Sequence, residues 1–270
     1  MLLGPNSKIT ATKTEEYLTM PLFNSGLMVG ALFWDLGERY DYESILSRAA
    51  VLFYCVAFFI FMSVAVLPFT VMERDIVDKE VLNGYYHPIA YQIAQGLASI
   101  PGAALLAFLV SVIIVTMLKL NGPYWYFLNM FLSLVTSEAL AQLVSHVVPH
   151  FVIGMAMIAG LFGFFMLFQG FMIVPSDFPD WLRWTYNIAF HTYSWRSFMY
   201  TEFKGEEFPD TPLPTGESVL EFYEIENTDR GNDVSPVYRN TRSCRALLFP
   251  VSHDCSFAAD FLCSHTSQCR

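Results

Sequence analysis

Charged side chains are scarce in this sequence of 270 residues, of which only 15% are Asp, Glu, Lys or Arg while 54% are hydrophobic. Between Glu80 and Asp177 the chain carries two formal charges, Lys119 and Glu138. A water-soluble fold cannot cover so long a stretch with so few charges. The abundance of apolar residues also excludes intrinsic disorder. The composition therefore indicates a polytopic membrane protein.

Basic patches and nucleotide-binding motifs are missing as well. The net charge is −10, and no cluster of Lys and Arg offers a surface for a nucleic acid. No GxxxxGK[ST] motif is present to cradle a nucleotide, and HExxH, GxSxG and CxxC are absent too. We therefore expect this chain not to be an enzyme, and we assign it no catalytic, cofactor-binding or metal-binding residue.

The five cysteines are unevenly placed. Cys55 lies in an apolar run, whereas the other four are Cys244, Cys255, Cys263 and Cys269. Two disulfides or a metal site would each account for the late four. Their spacing matches no zinc signature, so both interpretations stay open at this point.

Five apolar segments are candidates for membrane-spanning helices, each of which needs about 20 mostly apolar residues. They lie near residues 22–36, 49–72, 89–118, 124–148 and 151–174. The first segment is short for a span. We predict an all-α polytopic helical bundle, with a transmembrane domain over residues 22–174 that follows a short N-terminal remnant over residues 1–21.

Beyond the last apolar segment the composition changes twice. In residues 175–208 aromatic side chains alternate with Arg and His, a mixture typical of the water–lipid boundary. This segment is therefore predicted to be interfacial. Residues 209–270 form a polar tail.

A charged stretch follows the second apolar segment and is compatible with an amphipathic helix at the membrane surface. Its charged members include Glu73, Arg74, Asp78, Lys79 and Glu80. One interpretation is a solvated segment held by i,i+4 ion pairs. The other is a docking surface for a soluble partner.

Glu138 lies inside the fourth apolar segment, where an ionised carboxylate facing lipid is costly. It could make a polar contact with a translocation cavity or a partner helix. Alternatively, it could be a protonated or hydrogen-bonded packing residue beside Thr136 and Ser137.

Three apolar residues are candidates for contact with a lipophilic ligand. Phe61 lies in the second apolar segment, and Phe171 and Met172 lie near the end of the fifth. Bulky residues on facing helices could clamp such a ligand or close a pore, although ordinary packing would also explain them.

A series of motifs runs in a fixed order through residues 25–232. GLMVGALFWDLG and RAAVLFYCVAFFIF are followed by VMERDIVDKEVLNGYYHPIAYQIAQGLASIP, and later by SEALAQLVSHVVPHF, FPDWLRW and YTEFKG. This order resembles the transmembrane domain of G-subfamily (White/brown-complex type) ABC half-transporters. In that family a glutamate–basic pair opens an intracellular helix and is followed by a glutamate, by G-x-Y and by a proline in the next span. The matching residues here are Glu73, Arg74, Glu80, Gly84, Tyr86 and Pro101. The S-E and V-P-x-F-x-x-G elements are similar to a plant clade that exports cuticular lipids.

The resemblance implies a type-2 exporter fold of six spans, of which the sixth is missing here, with an extracellular re-entrant segment. It implies ATP-driven export of lipids or other lipophilic molecules through a cavity at a dimer interface in the plasma membrane. The implied partners are an ATP-binding domain, which would bind ATP and Mg, and a second half-transporter, identical or different. The implied roles are coupling for Glu73, Arg74, Asp78, Lys79 and Glu80, the substrate cavity for Phe61 and Glu138, and the gate for Phe171 and Met172.

The sequence departs from the family's pattern at both ends. About 20 residues precede the first apolar segment where the family has an ATP-binding domain, and after Asp233 the chain is too polar for a sixth span. A truncated or mis-spliced gene would explain both departures and would make the four late cysteines accidental. Two other functions stay open. One is a non-transporting subunit that modulates full-length relatives, and the other is an ATP-independent channel or carrier, for which one intramembrane carboxylate is weak support.

Overall fold

The computed structural model describes residues 21, 23–209 and 211–225. Most of the N-terminal remnant and the tail after residue 225, with its four cysteines, lie outside these residues. Within the described residues the regular secondary structure is helical, without a β-strand and with one isolated bridge between Glu207 and Thr215. The predicted all-α fold is confirmed.

The described part of the chain contains nine α-helices. The first six are α1 (23–32), α2 (Tyr42–Met62), α3 (Leu67–Leu82), α4 (Pro88–Leu118), α5 (Pro123–Val147) and α6 (Phe151–Leu167). The last three are α7 (Arg183–Ile188), α8 (Phe190–Phe203) and α9 (Gly216–Phe222). A 3-10 turn over Ser63–Val66 joins α2 directly to α3, so that the two form one continuous helical run.

Three helical runs among the described residues are long and apolar enough to cross a membrane. They are Tyr42–Leu82 with 41 residues, Ile89–Leu118 with 30 residues and Pro123–Val147 with 25 residues. Since a helix rises 1.5 Å per residue, each is longer than the ~30 Å hydrocarbon core of a bilayer. The chain is thus a multi-pass membrane protein. The apolar helix Phe151–Leu167 is shorter, and the assignment of the first and fifth predicted segments as spans stays a prediction.

The central helix of the bundle is α5, which packs against α2, α3, α4, α6 and α8. Its partner α8 is not one of the three long runs, yet it is almost completely buried. Phe190, Trp195, Phe198 and Phe203 all point into the core. Close packing of such rings supplies van der Waals contact between the helices.

Polar contacts also join α5 to α8. The side-chain amide of Asn129 donates to the carbonyl oxygen of Ser194 at 2.7 Å, and the hydroxyls of Ser133 and Ser194 lie 2.6 Å apart. Helices in a bilayer gain little from apolar burial against each other, so buried hydrogen bonds of this kind help to choose the partner and the register. They fix where α8 lies along α5.

The aromatic segment that the sequence assigned to the water–lipid boundary contains two kinds of tryptophan. Trp181 and Trp184 are 73% and 57% exposed, whereas Trp195 is fully buried. The first two precede or begin α7, and Trp195 belongs to α8. The two exposed tryptophans thus lie just before and within α7. The position of this part at a membrane surface stays a prediction.

The long helices run back and forth between two ends of the bundle. We call the loop 83–87 together with the turn 148–150 the proximal end. The distal end consists of the loop 33–41, the turn 119–122 and the segment 168–225. The distal parts meet, since the Asp35 amide donates to the carbonyl oxygen of Met117 just before the turn 119–122 at 3.0 Å, and the backbone N–H of Asn121 donates to Glu202 Oε2 at 2.8 Å.

Candidate functional site

Glu73 joins α3 to α4 at the proximal end. It is only 7% exposed, and its Oε2 accepts hydrogen bonds from the hydroxyl of Tyr91 at 3.4 Å and from the amide of Gln95 at 3.3 Å. Tyr91 and Gln95 lie four residues apart on α4, so they share one face of that helix. Glu73 therefore faces a neighbouring helix inside the protein.

Arg74 joins α3 to the end of α5. Its Nη1 donates to the carbonyl oxygens of Ser145 at 2.7 Å and of Val148 at 2.8 Å. The last carbonyls of a helix have no partner within the helix and carry its negative partial charge, so a guanidinium is a favourable ligand for them. The contact links α3 to the turn that leads into α6.

Glu80 and Tyr86 close the loop between α3 and α4. The Tyr86 hydroxyl donates to Glu80 Oε2 at 2.6 Å, and the Tyr86 ring stacks on Tyr91 with a centroid distance of 5.9 Å. Burial and the neighbouring Glu80 raise the pKa of Tyr86, so the phenol remains a donor at neutral pH. Gly84 supplies the left-handed turn in between with φ of 74°, a conformation that favours glycine.

Asp78 and Lys79 are exposed on the same helix. The charged stretch therefore contains two kinds of residue. Glu73 and Arg74 hold α3 against α4 and α5, and Glu80 fixes the loop. We call these contacts the proximal network. The surface that a soluble partner could reach at this end includes Asp78 and Lys79.

The two residues assigned to the substrate cavity lie on α2 and α5. Phe61 is 41% exposed on α2, and Glu138 is partly buried on α5 with its Oε2 atom inside the protein. Among the neighbouring hydroxyls, Thr136 donates to the carbonyl oxygen of Leu132 at 2.7 Å and Ser137 donates to that of Leu134 at 2.8 Å. Their assignment to one substrate cavity stays a prediction.

The two residues assigned to the gate have different surroundings. The ring of Phe171 packs on Phe53 at 4.7 Å, on Trp195 at 6.0 Å and on Tyr223 at 6.1 Å, measured between centroids. Met172 is 55% exposed. Phe171 thus belongs to an aromatic cluster that joins α2 to α8 at the distal end, and Met172 faces outward.

A pair of charged residues at the distal end is not among the residues that the sequence predicts. Arg48 on α2 is fully buried, and its Nη1 lies 3.5 Å from Oε1 of the buried Glu202 on α8. Each residue stands out in the sequence as a charge that adjoins an apolar or aromatic run. Their pairing could not be seen, because 154 positions separate them in the sequence.

Taken together, these contacts define a helical membrane bundle with a charged proximal end, in which the described residues contain no group of three or more metal-binding side chains. Comparison with known families then gives a specific assignment. The family model described as ABC-2 type transporter matches residues 9–203. The chain belongs to this family of membrane transport domains, and its relatives assign it to the G subfamily of ABC transporters.

Three relatives illustrate the similarity. The chain is 28% identical over 189 residues to ABC transporter G family member 5 of Arabidopsis thaliana, covering 68% of this chain and 29% of the relative. It is 28% identical over 189 residues to ABC transporter G family member STR2 of Medicago truncatula, covering 70% and 26%. It is 28% identical over 198 residues to ABC transporter G family member 1 of Petunia hybrida, covering 71% and 30%. The matched region therefore spans less than a third of each of these relatives.

Proposed function

We propose that this chain is the membrane-spanning part of an ATP-driven exporter of lipids or other lipophilic molecules. Two such domains would pair, identical or different, around a shared cavity in the plasma membrane. Membership of the ABC-2 family supports transport across a membrane. The observation that supports the ATP-driven mechanism is the proximal network, in which the charged second half of α3 is bound to both α4 and α5.

Coupling would begin at the exposed part of that helix end. Asp78 and Lys79 offer one charge of each sign to a soluble domain, and exposed charges of this kind guide docking more than they stabilise a fold. Movement of α3 would then reach α4 through Glu73 and α5 through Arg74. The proximal end is accordingly the cytosolic side in this proposal.

ATP chemistry would take place outside this chain. The matched family model is a membrane domain, so we assign ATP and Mg²⁺ to an associated nucleotide-binding domain. Binding of ATP there would change the position of the docked α3, and the bundle would convert that displacement into opening at the distal end.

The substrate path would run along the exposed face of α2. Tyr54 and Phe61 are both exposed and lie seven residues apart, which is about two helical turns on one face. Aromatic rings on such a face suit a lipophilic substrate once a second domain covers it. Glu138 would supply a polar contact on α5, and Phe171 with Met172 would form the distal gate.

Reconstitution tests this proposal directly. The chain would be co-purified with a full-length G family relative and placed in liposomes that contain a fluorescent phospholipid. We expect the labelled lipid to cross the membrane only with ATP and Mg²⁺, and faster than with the relative alone. A complex that hydrolyses ATP while the chain adds no lipid movement would contradict export and support the modulating subunit.

A further inference from the structure

Arg48 is the centre of the distal end. Its Nε donates to the carbonyl oxygen of Leu36 at 3.1 Å, and its Nη2 donates to those of Gly37 at 2.7 Å and Arg39 at 2.6 Å. The ring of Tyr40 lies 5.7 Å from the guanidinium carbon. Arg48 therefore has three carbonyl acceptors from the loop 33–41, which hold it in place whatever happens to its carboxylate partner.

Glu202 makes far fewer contacts than Arg48. Its Oε2 accepts the backbone N–H of Asn121 at 2.8 Å, but its Oε1 lies 3.5 Å from Arg48 Nη1. That distance is at the outer limit for a hydrogen bond, whereas short ion pairs measure about 2.7–2.9 Å. A buried carboxylate with one short contact has lost much of its hydration without full compensation.

The charged and titratable groups near this carboxylate lie on α2, on α5 and directly after α8. Arg48 faces it from α2, and Glu206 adds a negative charge of the same sign after the end of α8. Tyr126 of α5 also interacts with it electrostatically. Lys119, on the neighbouring turn, is engaged at the surface, where its Nζ lies 2.7 Å from Asp35 Oδ1.

We propose that Glu202 is a proton-binding site that holds the distal end closed when protonated and loosens it when ionised. A proton on Oε1 would cost only the long contact with Arg48 and would leave the carbonyl contacts of Arg48 intact. Release of the proton would leave a buried charge, which is best hydrated if the turn 119–122 moves away from α8. Neither step depends on which molecule the protein transports.

The pKa of Glu202 is shifted in the direction that the proposal requires. Burial is the main cause that raises its pKa to about 7, while the Asn121 N–H and the Arg48 charge lower it. A pKa that is higher in the closed state than in the hydrated state means that closure is favoured at low pH and weakened as the pH rises through about 7. A dominant ion pair would give the opposite dependence.

Hydrogen exchange at the Asn121 amide tests the proposal, because this N–H is bonded to Glu202 itself. The full chain would be reconstituted in phospholipid nanodiscs, and exchange over residues 119–126 corrected for the intrinsic pH effect. With a pKa of about 7 closed and an ordinary 4.5 open, protection should fall about tenfold from pH 6 to pH 8.

Two variants separate the proposed site from general effects of pH. Glu202→Gln, which mimics the protonated carboxyl, should keep the high protection at both pH values. Glu206→Gln should keep most of the tenfold change, since Glu206 is the smallest of the influences on the pKa of Glu202 and its carboxylate accepts from the Asn121 side chain rather than from the backbone N–H. Equal protection of the parent at both pH values, or greater protection at pH 8, would overturn the proposal even if Glu202→Gln failed to fold.

Discussion

Arg74 on α3 and Ser145 on α5 are joined by a hydrogen bond of 2.7 Å from the guanidinium Nη1 to the backbone carbonyl oxygen. The same nitrogen reaches the carbonyl oxygen of Val148 at 2.8 Å. A charged donor on carbonyls at a helix end forms a stronger link than a pair of exposed charges. Movement of the proximal half of α3 must therefore move the end of α5 or break these bonds.

Arg74→Gln is expected to destabilise the bundle. Glutamine can donate to one of the two carbonyls at most, and loss of a charge-assisted hydrogen bond that leaves a partly buried carbonyl without a donor costs about 1–3 kcal/mol. The apparent Tm in detergent, followed by intrinsic fluorescence, should fall. Lys79→Gln is the matched control because Lys79 is exposed, and its effect should stay within about 0.5 kcal/mol. Equal Tm values for the two variants would contradict the structural role of Arg74.

Lys79→Glu is expected to weaken coupling without weakening the fold. Reversal of an exposed charge changes complementarity with a docked domain, while the contacts inside the bundle remain. The lipid moved per ATP hydrolysed should decrease in the reconstituted complex, at equal Tm and equal insertion. Lys204→Glu, an exposed charge reversal at the distal end, should leave that ratio unchanged. An unchanged ratio for Lys79→Glu would return Lys79 to a solvated surface.

The charged stretch shows what sequence alone could and could not predict. Its helical character was readable, since no Gly or Pro interrupts residues 73–82. The burial of Glu73 was not, because it depends on Tyr91 and Gln95 of the next helix, which provide its hydrogen-bond donors. A carboxylate in such a stretch faces inward only when a neighbouring helix supplies a hydrogen-bond donor at the same level along the helix axis.

Arg48 gives the same lesson at the distal end. The apolar run that predicts the second span begins after Arg48, because a charge beside an apolar run usually marks the water boundary. In the structure α2 begins at Tyr42 and Arg48 is inside the protein. Its acceptors are backbone carbonyls of the preceding loop and a carboxylate from α8. The side chains themselves give no signal of those carbonyls, so only the fold reveals them.

Gly37→Ala is expected to destabilise the distal end. A Cβ atom at this position would collide with the carbonyl oxygen of Lys119, which belongs to the backbone and cannot rotate away. Such overpacking typically costs about 1–3 kcal/mol. Gly160→Ala is the control, since nothing lies within 4 Å of its added Cβ and alanine favours a helix by about 0.5–1 kcal/mol over glycine. The Tm should fall for the first variant and not for the second. A Tm for Gly37→Ala as high as that of the parent would show that the two loops are not in close contact.

Glu138 is expected to act through a polar contact rather than through its charge alone. Glu138→Gln keeps the shape and hydrogen-bonding capacity of the side chain, whereas Glu138→Leu removes both. We expect Glu138→Gln to preserve surface level and lipid movement, and Glu138→Leu to impair one of them, since a polar group at this depth is retained for a protein or cavity contact. Both quantities would be measured on the same preparation. Equal surface level and equal transport for Glu138→Leu and the parent would remove Glu138 from the proposed cavity.

Variants of Phe171 and Met172 are expected to distinguish a packing role from a gating role. Phe171→Ala deletes a ring that packs on Phe53, Trp195 and Tyr223, so the Tm should fall by an amount that corresponds to no more than about 3–5 kcal/mol. Met172→Ala shortens an exposed side chain and should leave the Tm within the error of the measurement. If the two residues close the distal end, each variant should let labelled phospholipid cross without ATP, and Phe171→Leu should restore most of the barrier. A leak from neither variant, with a lower Tm for Phe171→Ala alone, would show that Phe171 is a packing residue and that the gate lies elsewhere.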